Sequence, residues 1–128
     1  MDAGSASAPH FPRPAPIDAY GNGGFRFAGM SHHGSLRCLP DGIWAWQVTE
    51  ADDIGEKALR HVLDRVGEID ALIIGTGHAI WLPPPPLRET FRARHIAIDA
   101  MQTGPAIRVY NIMVGERRRV AAALIAVQ

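Results

Sequence analysis

The chain has 128 residues, 47% of them hydrophobic and 20% charged, with 13 basic side chains balanced by 13 acidic ones. That length suits one domain with a core large enough to need neither disulfide nor metal. The neutral balance argues against general affinity for nucleic acid or anionic lipid, which needs a sustained basic face, and a lone cysteine, Cys38, excludes an internal disulfide framework and fits a reducing compartment.

Residues 1–15, rich in Pro, Ala and Ser, are expected to be a disordered tail, and residues 16–128 a single α/β domain. The N-terminal segment lacks the apolar run of a secretory signal, and no stretch of about 20 apolar residues occurs, so a soluble, cytoplasmic protein is expected. Short runs at Ile17 to Tyr20, Phe25 to Phe27, Ser35 to Leu39 and Ile43 to Val48 predict strands. They are separated by Gly21-Asn22-Gly23-Gly24, by Ser31-His32-His33-Gly34 and by Pro40-Asp41-Gly42, the last a strong hairpin signal. On the fourth run Trp44, Trp46 and Val48 share one face and Ile43, Ala45 and Gln47 the other.

Ile54, Ala58, Val62 and Val66 recur every fourth position, which predicts an amphipathic helix over residues 52–66. The unbroken apolar run Ala71 to Ile74 predicts a strand covered on both faces. After Pro83 to Pro86, read as a stiff extended spacer, Leu87 to Arg94 should be helical and His95 to Asp99 a strand. A helix then runs from Pro105 to Val114, with Thr103 as its cap and Gly115 at its end. Residues 120–127 are predicted as a buried strand, which completes a βαβαβ series with right-handed crossovers.

Charge is unevenly spread. Residues 41–70 hold eight acids against three bases, and residues 88–119 hold seven arginines against three acids. Such a dipole can orient a protein partner, and Arg117, Arg118 and Arg119 are its candidate contact surface.

The most site-like position is Gly75-Thr76-Gly77-His78, directly after the apolar strand, where α/β proteins collect ligands. A dinucleotide fingerprint would need glycine at position 80, which is Ile80, and an immediate helix, which the prolines delay. Together with Asp99, Gln102 and Asn111 these residues form a candidate pocket for a small, anionic ligand. Asn111, inside an apolar helical stretch, either lines that pocket or locks a neighbouring loop. His32 and His33 are adjacent, and neighbours on a strand or turn point apart, while His61 is expected to face solvent or a helix edge. No spacing suits a metal, no catalytic constellation appears, and no cofactor is expected.

The ordered set Ile74-Gly75-Thr76-Gly77, Leu82-Pro83, Met101-Gln102-Thr103-Gly104-Pro105-Ala106, Tyr110-Asn111 and Glu116 to Leu124, with Ile17 to Gly21 and Phe25 to Phe27, resembles the Mth-type domain of unknown function. The eukaryotic branch of that family is the mitochondrial NADH dehydrogenase (complex I) assembly factor 3 family. The resemblance spans about residues 15–127. It implies a three-layer α/β fold: a central mixed, mostly parallel five-stranded sheet, helices on its faces, and a small β layer from the N-terminal half. It also implies a bacterial, non-enzymatic factor that binds respiratory-complex subunits or a second assembly factor and meets the membrane only through them. Self-association is left open, and a small-molecule-binding protein or enzyme using Gly75 to His78 is the alternative.

Overall fold

The computed structural model describes residues 8–128. Three short strands, β1 (Ala19–Gly21), β2 (Gly24–Phe27) and β3 (Met30–His33), form an antiparallel sheet in that order. Asn22 and Gly23 close the first turn and Ala28 and Gly29 the second, all at positive φ, the backbone that tight hairpins demand. β3 corrects the reading of Ser31 to Gly34 as a turn. It is a polar edge strand in which half-buried Met30 and His32 alternate with exposed Ser31 and His33, so it carries little hydrophobic signal.

The hairpin at Pro40 and Asp41 forms as expected, joining β4 (Ser35–Leu39) to β5 (Gly42–Trp46) with Leu39 opposite Gly42. Downstream, the expected helix over residues 52–66 is replaced by a 3-10 turn at Ala51–Asp53, a four-residue helix α1 (Arg60–Leu63) and another 3-10 turn at Val66–Glu68. The four-residue apolar period does mark the inward side: Ile54 and Val62 are buried, and Ala58 and Val66 are half-buried against the same core. Gly55 weakens a continuous helix, and the backbone shifts between i−3 and i−4 bonding: Leu59 N–H donates to Gly55, Arg60 to Lys57 and Arg65 to Val62. The indole of Trp46 also donates to the Ala58 carbonyl at 2.9 Å, holding the segment against the sheet.

The second half follows the expected order: β6 (Ala71–Gly75), α2 (Pro85–Arg92), β7 (Ala97–Met101), α3 (Thr103–Gly115) and β8 (Val120–Leu124). Only part of the proline block is spacer. Pro84 is extended, at φ −58° and ψ 149°, whereas Pro85 and Pro86 open α2, where a missing N–H costs nothing. His95, at positive φ, turns the chain and delays β7 to Ala97. Thr103 is the first helical residue of α3 rather than its cap, and Gln102 holds the cap position without a side-chain bond.

The larger sheet has the order β5-β4-β8-β6-β7. β4 pairs antiparallel with β5 and β8, and β6 pairs parallel with β7 and β8, so the sheet is mixed, with half of its pairings parallel. The step from β6 to β7 and the return past β6 to β8 run in opposite directions. α2 and α3 accordingly pack on opposite faces, as two crossovers of one hand require.

Each face buries its own core. Leu87 and Phe91 of α2 join Trp44, Trp46, Val62, Leu72, Ile74, Ala121 and Ala123 on one side. Ile107 and Tyr110 of α3 join Phe25, Phe27, Cys38, Ile43, Ile73, Ala122 and Leu124 on the other. Cys38 is fully buried beside Tyr110, and burial pushes its thiol up to about 12. Of the expected disordered tail, residues 1–7 lie outside the described residues. Residues 8–15 run along β5: His10 N–H donates to the Ile43 carbonyl, Ile43 N–H donates to Phe11, and Ala15 is buried.

Asn111 is a lock. Its Oδ1 accepts the Ile17 N–H at 2.8 Å and its Nδ2 donates to the Ile17 carbonyl at 2.9 Å, tying the segment leading into β1 to α3. Asn111→Ala should lower stability by about 1–3 kcal/mol, because two backbone groups lose partners near the core. Urea unfolding followed by circular dichroism measures this, and an unchanged midpoint would contradict it.

Candidate functional site

Because β6 and β8 are parallel neighbours, with Gly75 opposite Leu124, their carboxyl ends open at the same end of the sheet. The chain leaves β6 through Gly77 at φ +74°, and a cleft of about 440 Å³ forms there. It is lined by Thr49 to Asp52 beyond β5, by Thr76 to Trp81 beyond β6, and by Ile125 to Gln128 beyond β8.

Several polar groups at the exits of β6 and β8 are already engaged. The Thr103 hydroxyl accepts the Gly77 N–H at 2.9 Å and donates to the Ile125 carbonyl at 2.7 Å, clamping the exits of β6 and β8 to the start of α3. The Thr76 hydroxyl donates to the Ala79 carbonyl at 2.7 Å, and the Thr76 N–H donates to Met101. Gln102 Nε2 donates to the His78 carbonyl at 2.9 Å. A side chain at Gly75 would press on Thr103 and Leu124, so glycine there lets the strand and helix meet.

Of the residues picked out in the sequence, Thr76, Gly77 and His78 line the cleft, Gly75 backs it, and Gln102 braces its turn. Asp99 is an exposed residue in the middle of β7, an edge strand, and does not line the cleft. Asn111 is occupied with Ile17. Arg117, Arg118 and Arg119 lie at the entry to β8, the opposite end from the cleft. Arg119 reaches Asp70 at 3.3 Å, and Arg118 lies 3.7 Å from Glu116. The sequence reading overlooked Thr49 to Asp52, Ile80, Trp81 and Ile125 to Gln128. Ile80-Trp81-Leu82, an apolar triplet next to prolines, was the signal that could have pointed to them.

A second polar cluster lies on the outer hairpin. Asp41 accepts both Arg65 Nε (2.7 Å) and Nη2 (2.9 Å), and this bond holds its carboxyl below the usual range. The Arg65 guanidinium stands 5.1 Å from the Trp44 ring, which meets His61 edge-on at 4.5 Å. His61 is buried, which corrects its expected solvent-facing place, and its Nδ1 has no hydrogen-bond partner among the described residues. Burial, with the positive charges of Arg37 and Arg65, lowers its pKa to about 4. No group of three His, Cys, Asp or Glu among the described residues is placed to hold a metal ion.

The family model described as "Protein of unknown function (DUF498/DUF598)" matches residues 17–125. The chain belongs to this family. A solved protein of Rhodopseudomonas palustris is 60% identical to this DUF498/DUF598 chain, with 94% of this chain and 89% of that one covered and a TM-score of 0.83. A Bartonella henselae structure described as an outer membrane protein is 45% identical, with 93% and 100% covered and a TM-score of 0.88. NADH dehydrogenase [ubiquinone] 1 alpha subcomplex assembly factor 3 of Xenopus tropicalis is 32% identical over 85% of this chain, which spans 60% of that factor's length. The fold is also that of a Bordetella pertussis Mth938-like domain, at a TM-score of 0.76 and 24% identity. In this DUF498/DUF598 chain, no helix among the described residues is long and apolar enough to cross a membrane.

Two outcomes follow from this geometry. Thr103→Val should destabilise by about 2–5 kcal/mol, because the Gly77 N–H and the Ile125 carbonyl both lose a buried partner, while Thr103→Ser should cost less than about 1 kcal/mol. Denaturant midpoints compare the two, and equal losses would refute the clamp. His61 has a native pKa below its unfolded value, so the unfolded chain binds the proton first. Its stabilising contribution is complete above about pH 6.5 and is lost as pH falls toward about 4. His61→Phe should flatten that limb of the stability–pH curve, and an unchanged slope would show that the limb has another source.

Proposed function

We propose that this protein is a non-catalytic interaction factor that assists assembly of a complex I-type respiratory membrane complex, acting in the cytoplasm and meeting the membrane only through protein partners. The observation that carries this reading is the 32% identity to assembly factor 3 across 85% of the chain. The site agrees with it. An anion cradle needs several free N–H groups converging on one point, and in the turn after β6 those of Thr76 and Gly77 donate within the fold and that of Ala79 lies 3.4 Å from the Thr76 carbonyl, which leaves that of His78 as the one without an acceptor among the described residues from Thr76 to Ala79. Respiratory-complex subunits or a second assembly factor are the expected partners. The layering belongs to the same reading: α1 and α2 over one face of the five-stranded sheet, α3 and the three-stranded sheet over the other.

The observation favouring a small-molecule reading is the cleft itself, with His78 and Gly77 in its wall. A stoichiometric metabolite retained by protein purified from its host would give this reading precedence.

Deleting the gene from a host that possesses complex I should lower assembled complex and NADH:quinone activity several-fold, with recovery when the wild-type gene is restored. Native gel electrophoresis and membrane activity measure this. Normal complex I in the deletion strain would refute the assembly role.

A further inference from the structure

Four large hydrophobic side chains are markedly exposed among the described residues; one of them, Ile80 (95%), lines the cleft, and another, Leu82 (73%), follows two residues on in the same loop. Apolar side chains placed together in the open mark an interaction surface more often than isolated ones do. Here they are also held ready. Trp81, between them, is half-buried and packs on the core that holds Phe91 and Leu87. Pro83 is buried, Pro84 is extended, and α2 begins at Pro85. A loop pinned at its centre and stiffened by prolines loses little further entropy on binding.

Glu50 and Asp52 line the same cleft. Both are exposed, and neither makes an ion pair among the described residues. A two-fold contact between copies of this chain would set this acidic face against itself. An anionic membrane surface would be repelled in the same way. The combination suits a different protein with positive charge beside an apolar depression.

We infer that the Ile80-Trp81-Leu82 loop and the Glu50/Asp52 rim form one docking surface for a heterologous protein, which receives Ile80 and Leu82 in an apolar depression and places a Lys or Arg between the two carboxylates. This deepens the assembly-factor reading and rests on it for where the partner is sought.

The test uses the full chain in its native host, with a photo-crosslinking benzoylphenylalanine at position 80 and, as a control, at position 112. Ile112 is also exposed, at 62%, and lies on α3. The expected result is a crosslink from position 80 but not 112 to one other protein, at a peptide carrying Lys or Arg. The double variant Glu50→Lys/Asp52→Lys should cut its yield roughly fivefold or more, and changing that Lys or Arg of the partner to Glu should restore it. Both variant sites are exposed, so unfolding midpoints should stay near wild type. A crosslink to a second copy of the chain, to lipid, or to a peptide without a basic residue would overturn the inference. So would no crosslink at all, or a yield indifferent to charge reversal.

Complex I assembly in an Ile80→Ser/Leu82→Ser strain separates this inference from the functional reading. Normal assembly there, with loss in the deletion strain, overturns the surface and leaves the assembly role. A charge-dependent crosslink with normal complex I in the deletion strain upholds the surface and overturns the role.

Discussion

Everything in this fold depends on β8 reaching the middle of the sheet. Val120–Leu124 pairs antiparallel with β4 and parallel with β6, joining a hairpin half to a βαβ half that share no other strand pairing. All five residues are buried, and three of them are alanines. Small side chains on both faces leave room for large ones, and the two cores are filled by Trp44, Trp46 and Phe91 on one side and by Phe25, Phe27 and Tyr110 on the other. A larger residue at Ala121 or Ala122 would meet a core with no space to yield.

The same strand decides what kind of site the molecule has. Parallel strands that exit together leave backbone groups to be satisfied at their carboxyl ends, and many α/β proteins satisfy them with ligand. Here Thr103 and Thr76 do so internally, with Gln102 bracing the turn. What remains at the opening is shape, the exposed side chain of Ile80, the carboxylates of Glu50 and Asp52, and His78 in the wall.

Much of this was legible in the residues because local chemistry dictated it. Pro40-Asp41-Gly42 named its hairpin, the apolar run Ala71 to Ile74 named a strand buried on both faces, and the short span of residues 120–127 outweighed its helix-favouring alanines. Helix periodicity misled over residues 52–66. The apolar spacing there reports burial correctly, but Gly55 and the pull of Trp46 on the Ala58 carbonyl break the segment into turns. β3 went unseen because Met30 is its one apolar residue, so its alternation in burial leaves no hydrophobic alternation to detect. The cleft was half visible: its β6 wall follows from strand-end logic. Its other two walls, Thr49 to Asp52 and Ile125 to Gln128, depend on the β5-β4-β8 order, which no local pattern encodes. Long-range partnerships such as Arg65 with Asp41, or the burial of His61 against Trp44, are equally invisible before the chain is folded.

The place of β8 in the chain also bears on how the protein is made. It is synthesised after every other described element, yet it occupies the centre of the sheet and pairs Leu124 with Leu36, a residue far back in the sequence. Until it emerges, β4 and β6 each present an open edge, the kind of surface that pairs indiscriminately with other chains. Such distant pairing also slows folding, since the closing of a long loop precedes the contacts that reward it. Before β8 is made, productive folding is therefore limited to the two separate halves, each with one sheet edge still unpaired.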